Sequence, residues 1–297
     1  MKSPNKPVSP DSPPHPAAPP HNGAMFEVEV EGHTLRYWQQ GGGSDIVLIH
    51  GWASSHRIWE SVMGRLAAAG HRTWAPDLPG FGDSQGPSNG PYTIARFAHL
   101  VAAFIQAVGI TSPAVVGHSM GGAIALRLAL ERPELVDRLV LINPVISGRL
   151  RFSLELFLNR PVGQWVLTLS RRLWTLATLG VRAMYLHPWH GSRSAIRRDV
   201  EDLARATPDA ALESLYAVAH TDLSPHLSRV RVPTLILASP FDRIIPPAEA
   251  ALAARQIPKA RLVPLTATGH QPMDEQPDTL VRFLLDFLGQ PHPPNSP

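Results

Sequence analysis

Residues 25–39, MFEVEVEGHTLRYWQ, alternate apolar and polar side chains about Glu31 and Gly32, which predicts two antiparallel strands joined by a tight turn. Beyond them the period changes. DIVLIH (45–50) is a short, continuous apolar run of the kind expected in a parallel strand covered on both faces. PAVVG (113–117), DRLVLINP (137–144), PTLILAS (233–239) and ARLVPL (260–265) read likewise, and HRTWAP (71–76) is a further strand candidate. IWESVMGRLAAAG (58–70) and YTIARFAHLVAAFIQAVG (92–109) carry helical spacing between these runs. Such alternation predicts an α/β fold, a mostly parallel central sheet flanked by helices. From about Pro144 to Pro225 it stops, and only helical or irregular stretches remain. The expected organisation is one α/β core, 25–143 and 226–289, with a helical insertion at 144–225 that follows the strand ending near Asn143.

The two ends differ from this pattern. Residues 1–24 repeat proline and hold almost no large apolar side chains, the composition of an extended, unpacked tail, and 290–297 are similar. No signal peptide is recognised before Met25 and no run suits a membrane span, so the expected location is cytoplasmic. With 297 residues, 44% of them hydrophobic, the chain can bury one large core. It contains no cysteine, which excludes disulfides and thiolate zinc sites. A net charge of +3, without a basic stripe interleaved with aromatics, argues against a nucleic-acid partner.

The sharpest local feature is AVVGHSMGGAIALRLAL (114–130), where Ser119 stands between Gly117 and Gly121 at the junction of a strand and a helix. A strand that becomes a helix within a residue or two forces its pivot into a strained conformation, and neighbours without Cβ atoms relieve the crowding. Ser119 is therefore expected to project its hydroxyl above the strand ends. The N–H groups that open the following helix lie where negative charge would be stabilised. This is the geometry of a nucleophile.

Five stretches, HGWASSHRIW, DLPGFGDS, GHSMGG, SPFDRIIP and GHQPMDEQP, occur in an order that resembles the α/β-hydrolase family, over about Phe26 to Leu288. The resemblance implies a catalytic triad of Ser119, Asp242 and His270, with the backbone N–H groups of Trp52 and Met120 as oxyanion hole. It also implies a cap over the active site and no cofactor. Related epoxide hydrolases and dehalogenases use an aspartate nucleophile, so Ser119 points to acyl chemistry: a carboxylic-ester hydrolase, esterase- or lipase-like, with a small-molecule ester or lipid-like substrate. Carbon–carbon bond hydrolases and cofactor-free haloperoxidases share GHSMGG; the former often carry tryptophan where this chain has Gln271. A non-catalytic ligand-binding protein of the same fold is the reading from another class, and a full triad counts against it.

Other residues receive local roles. Asn143 stands where some members carry the acid, but an amide serves an imidazolium less well than Asp242. Asp77 and Asp83 are read as turn residues, Asp274 and Glu275 as favouring the start of the last helix, and His50 and His118 as local hydrogen-bonding groups. The spacing of His187 and His190 suits a metal pair, but no further ligands lie nearby and no metal is expected. In the insertion, residues 145–198 hold nine arginines and one acid, Glu155. Trp165, Trp174, Arg171 and Arg172 are the candidates for the substrate pocket or cap. A basic, apolar cap suits either transient contact with an anionic membrane surface or recognition of an acidic substrate group.

Overall fold

The computed structural model describes residues 23–84, 91–150, 174–187 and 192–290, with 162, 165 and 168 between them. Most of both tails and of 151–173 therefore lie outside the described residues. The amino-terminal alternation forms a hairpin of β1 (Ala24–Val30) and β2 (His33–Gly41), one residue earlier at its start than composition indicated. Glu31 and Gly32 both take positive φ, 49° and 79°, as a two-residue turn matched to the strand twist requires.

Six further strands follow: β3 (Ser44–Ile49), β4 (His71–Pro76), β5 (Ala114–His118), β6 (Arg138–Ile142), β7 (Thr234–Ala238) and β8 (Ala260–Pro264). They make one eight-stranded sheet, ordered β1-β2-β4-β3-β5-β6-β7-β8. Only the pairs β1/β2 and β2/β4 are antiparallel. The apolar runs are continuous because both faces are covered. Val47, Ile49, Val115, Leu139 and Leu141 face the layer of α2 (Ile94–Ala107) and α3 (Met120–Glu131). Ile46, Leu48, Val116, Val140 and Ile142 face the layer of α1 (Glu60–Ala68) and the last helix, Pro277–Leu288. Each such side chain removes about 1.5–3 kcal/mol of apolar surface from water.

Between β6 and β7 the described residues hold α4 (Trp174–Arg182), α5 (Arg193–Arg205) and α6 (Pro208–Ala219). Ser192 and Thr207 cap the last two through their hydroxyls, and Pro208 stands at the first turn of α6, where its missing N–H costs nothing. These helices are tied to the core by polar contacts that no sequence period reveals. Arg57 pairs with Glu201 and Asp202, Ser55 donates to Asp202 at 2.6 Å, and the Trp52 indole donates to the Ala211 carbonyl at 2.7 Å. The core closes with α7 (Pro247–Gln256), the short α8 (Pro272–Glu275) and α9 (Pro277–Leu288).

Candidate active site

Ser119 sits between β5 and α3 at φ 55° and ψ −116°, a conformation that costs a non-glycine residue about 1–3 kcal/mol. The surrounding backbone holds it there. Its N–H donates to the Ile142 carbonyl at 2.9 Å, and its own carbonyl accepts from Gly122 at 2.9 Å and from Val145 at 3.3 Å. A Cβ on Gly117 would lie 2.1 Å from the Gly121 carbonyl oxygen, and one on Gly121 would lie 2.3 Å from that of Ile49. The two glycines thus let strand, helix and the neighbouring strand β3 meet at the serine.

The loops after β7 and β8 end at the same sheet edge. Asp242 and His270 are both buried, and His270 Nδ1 lies 2.7 Å from Asp242 Oδ2. The other carboxylate oxygen accepts the N–H groups of Ile244 and Ile245 at 2.7 and 3.0 Å, which leaves the first aimed at the imidazole. Asn143, at φ 44°, donates to the carbonyls of Gly269 and His270 and accepts the Ser239 N–H at 2.8 Å. It braces the histidine loop. His118 Nε2 adds a bond of 2.8 Å to the His270 carbonyl. Burial holds the His118 imidazole well below the usual histidine range, and the neighbouring His270 works in the same direction.

The other local roles resolve unevenly. His50 bonds locally, its Nε2 accepting the Leu78 N–H at 3.0 Å and its Nδ1 donating to the Gly51 carbonyl at 2.8 Å. Asp77 receives the Asp83 N–H within its turn, and beyond that it binds both the N–H and the imidazole of His56. Asp274 and Glu275 correct the expectation: they lie in α8, before the last helix, and both are bound to residues of the insertion. Asp274 pairs with Arg198 at 2.7 Å. Glu275 accepts Leu186 N–H and Gly269 N–H, both at 2.6 Å, and so joins the insertion to the histidine loop. His270 N–H itself donates to the Met184 carbonyl at 2.7 Å.

Ser119 and His270 open on one pocket. Trp52 and Met120, the residues expected to supply the oxyanion donors, line it too. Gly51 brings the Trp52 loop in, for a Cβ there would stand 3.3 Å from the Ser119 Cβ. Among the described residues no hydrogen bond joins Ser119 Oγ to His270; such bonds commonly close only with substrate in place. Val145, Leu150, Leu215, Val218, Ile244 and Ile245 form an apolar part of the wall. From α4, the turn after it and α5 come Val181, Met184, Asp199 and Leu203. Trp165, expected at this wall, is 66% exposed and is not among the lining residues. Trp174 begins α4, while Arg171, Arg172 and His190 lie outside the described residues.

Two of the nine arginines counted along residues 145–198, Arg197 and Arg198, are paired with acids among the described residues. Arg198 is bound by Asp199 and Asp274, Arg197 by Glu201, and Arg205 by Asp83. Among the described residues no arginine or lysine lines the pocket.

A family model described as alpha/beta hydrolase fold matches residues 46–277. The chain belongs to this family. It is 28% identical to the pimeloyl-[acyl-carrier protein] methyl ester esterase of Vibrio vulnificus over 277 residues, covering 86% of this chain and 98% of that protein. Among solved structures, a hydrolase of Pseudomonas aeruginosa PA01 superposes with a TM-score of 0.77 at 25% identity, over 91% of this chain and 100% of that one. A thermophilic esterase of Thermogutta terrifontis superposes with a TM-score of 0.76 over 89% and 98%; at 24% identity that likeness concerns the fold alone. The relatives are esterases and hydrolases, and no helix among the described residues is long and apolar enough to cross a membrane.

Proposed function

We propose that this α/β hydrolase cleaves a carboxylic ester through an acyl-enzyme formed on Ser119. The observation that carries the reading is the strained serine sharing a buried apolar pocket with His270, whose Nδ1 bonds Asp242. With Asp242 accepting from Nδ1, the neutral ring has its lone pair on Nε2. That nitrogen takes the proton of the Ser119 hydroxyl as Oγ attacks the ester carbon. The carbonyl electrons move onto oxygen, and the N–H groups of Met120 and Trp52 stabilise the oxyanion. Collapse of the intermediate expels the alcohol, which receives the proton from His270. Water then repeats the cycle on the acyl-serine and releases the acid. Asp242 remains ionised throughout and stabilises the imidazolium.

The likeness to a methyl ester esterase supports an ester substrate. A basic wall suited to an acidic diketone is lacking among the described lining residues, which counts against carbon–carbon cleavage. The test is hydrolysis of p-nitrophenyl esters from acetyl to palmitoyl, with covalent labelling by a fluorophosphonate, for wild type and Ser119→Ala. Labelling and hydrolysis are expected in wild type, and both should vanish in the variant. A wild type inert to both reagents would remove the serine-hydrolase reading.

A further inference from the structure

The pocket has one polar wall. Ser54, Asp199 and Gln271 line it, contributed by the Trp52 loop, by α5 and by the residue after His270. Ser54 Oγ and Gln271 Oε1 are buried, with no hydrogen-bond partner among the described protein atoms, and the two residues are only 8% and 2% exposed. Polar atoms so placed are rare in a folded protein unless something comes to meet them.

Asp199 belongs to a buried set whose charges do not balance. Two carboxylates, Asp199 and Asp274, share one guanidinium, Arg198, and one phenol, Tyr185. With both acids ionised the set carries one surplus negative charge. The next acid along α5, Asp202, is matched by Arg57, which Glu201 also engages, so that neighbourhood supplies no spare cation. Asp199 Oδ1 accepts twice from Arg198, at 3.0 and 2.6 Å, whereas Oδ2 accepts once, from Tyr185 at 2.8 Å, and keeps acceptor capacity. Burial pushes the Asp199 carboxyl up to about 6; Arg198 opposes that rise and the Asp274 charge reinforces it, as expected of an uncompensated site.

We infer that this wall is a subsite for a protonated primary amine carried by the substrate, held by Asp199, Gln271 and Ser54. An alkylammonium has three N–H donors and one positive charge, and the wall has acceptors on all three side chains and one charge in excess. The rest of the pocket takes the hydrocarbon. The inference rests on the ester-hydrolase reading only in naming the ligand a substrate: the enzyme would prefer esters bearing an ammonium group over neutral or acidic ones of the same shape.

The test uses full-length Ser119→Ala, in which no turnover occurs, titrated by calorimetry with n-hexylammonium, n-hexanol and n-hexanoate at pH 7.5. Hexylammonium is expected to bind at least about 10-fold more tightly than either of the others, the scale of a charge-assisted hydrogen bond. Asp199→Asn should abolish that advantage. Gln271→Leu and Ser54→Ala, which leave the ion set intact, should each reduce it several-fold without weakening hexanol; they keep the test decisive should Asp199→Asn misfold. Equal affinity for the three probes, tighter binding of hexanoate, or no binding of hexylammonium would overturn the subsite. Because the readout is binding, its failure is distinct from failure of fluorophosphonate labelling.

Discussion

Replacement of Asp242 by asparagine tests the proposed proton path most directly, because the structure dictates which way the amide must face. Asp242 Oδ1 receives two backbone N–H groups, from Ile244 and Ile245, and Oδ2 faces His270 Nδ1. An asparagine has one oxygen. If it serves the two N–H groups, its NH₂ points at Nδ1, which must then be the unprotonated nitrogen, and Nε2 carries the hydrogen. That tautomer cannot take a proton from Ser119. The reverse orientation sets NH₂ against two N–H donors at 2.7–3.0 Å and leaves both unpaired inside the protein, at about 1–3 kcal/mol each. The first orientation therefore wins. In serine hydrolases of another fold the same exchange lowers kcat by about 10,000-fold, roughly 5.5 kcal/mol of barrier, and a loss of that order is expected here. The assay is kcat for a p-nitrophenyl ester at pH 7.5, together with thermal melting. The substitution is isosteric, so Tm should move little while kcat collapses. Activity within about 10-fold of wild type would refute this path, and so would a loss accounted for by unfolding.

Other substitutions probe the scaffold. Gly121→Ala places a Cβ 2.3 Å from the Ile49 carbonyl oxygen, so β3 and α3 must separate; a loss of about 1–3 kcal/mol in urea unfolding is expected, with slower fluorophosphonate labelling, and unchanged values would contradict the packing. For His56, burial disfavours the imidazolium, but the hydrogen bond and charge of Asp77 outweigh it and raise the pKa. Its contribution to stability is full below about pH 6.5 and is lost as pH rises through the higher folded value. Wild type should therefore lose more stability than His56→Gln between pH 6 and 8.5, and parallel curves would exclude the linkage. Glu275→Ala leaves the Leu186 and Gly269 N–H groups without their acceptor; we expect destabilisation of about 2 kcal/mol and a fall in kcat measurable in the ester assay, through loosening of the histidine loop. Unaltered kcat would show that the loop is held by Asn143 and His118 alone.

Much of this protein is legible in the chain itself. The buried strands announce themselves as apolar runs because both faces of the sheet must be dry, and the hairpin does so because one turn position must be glycine. The strand–Gly-x-Ser-x-Gly–helix junction follows from local sterics, which is why Ser119 could be singled out before any distance was known. Such features depend on neighbours within a few residues, and local physics is periodic. The rest depends on partners far apart in sequence. Asn143 meets the histidine loop across about 127 positions, and Arg198 meets Asp274 across 76. Nothing in the sequence marked Asp274 as a bridge to the insertion, or showed that Arg197 and Arg198 pair with acids of α5 and α8. Trp165, apolar and so expected at the pocket wall, stands in solvent because a helix has an outer face that composition does not reveal. The chain by itself determined the sheet, the elbow and the chemical types at its edge. Only tertiary packing decided which charges pair and which side chains line the pocket, because those partners come from elements far apart in sequence.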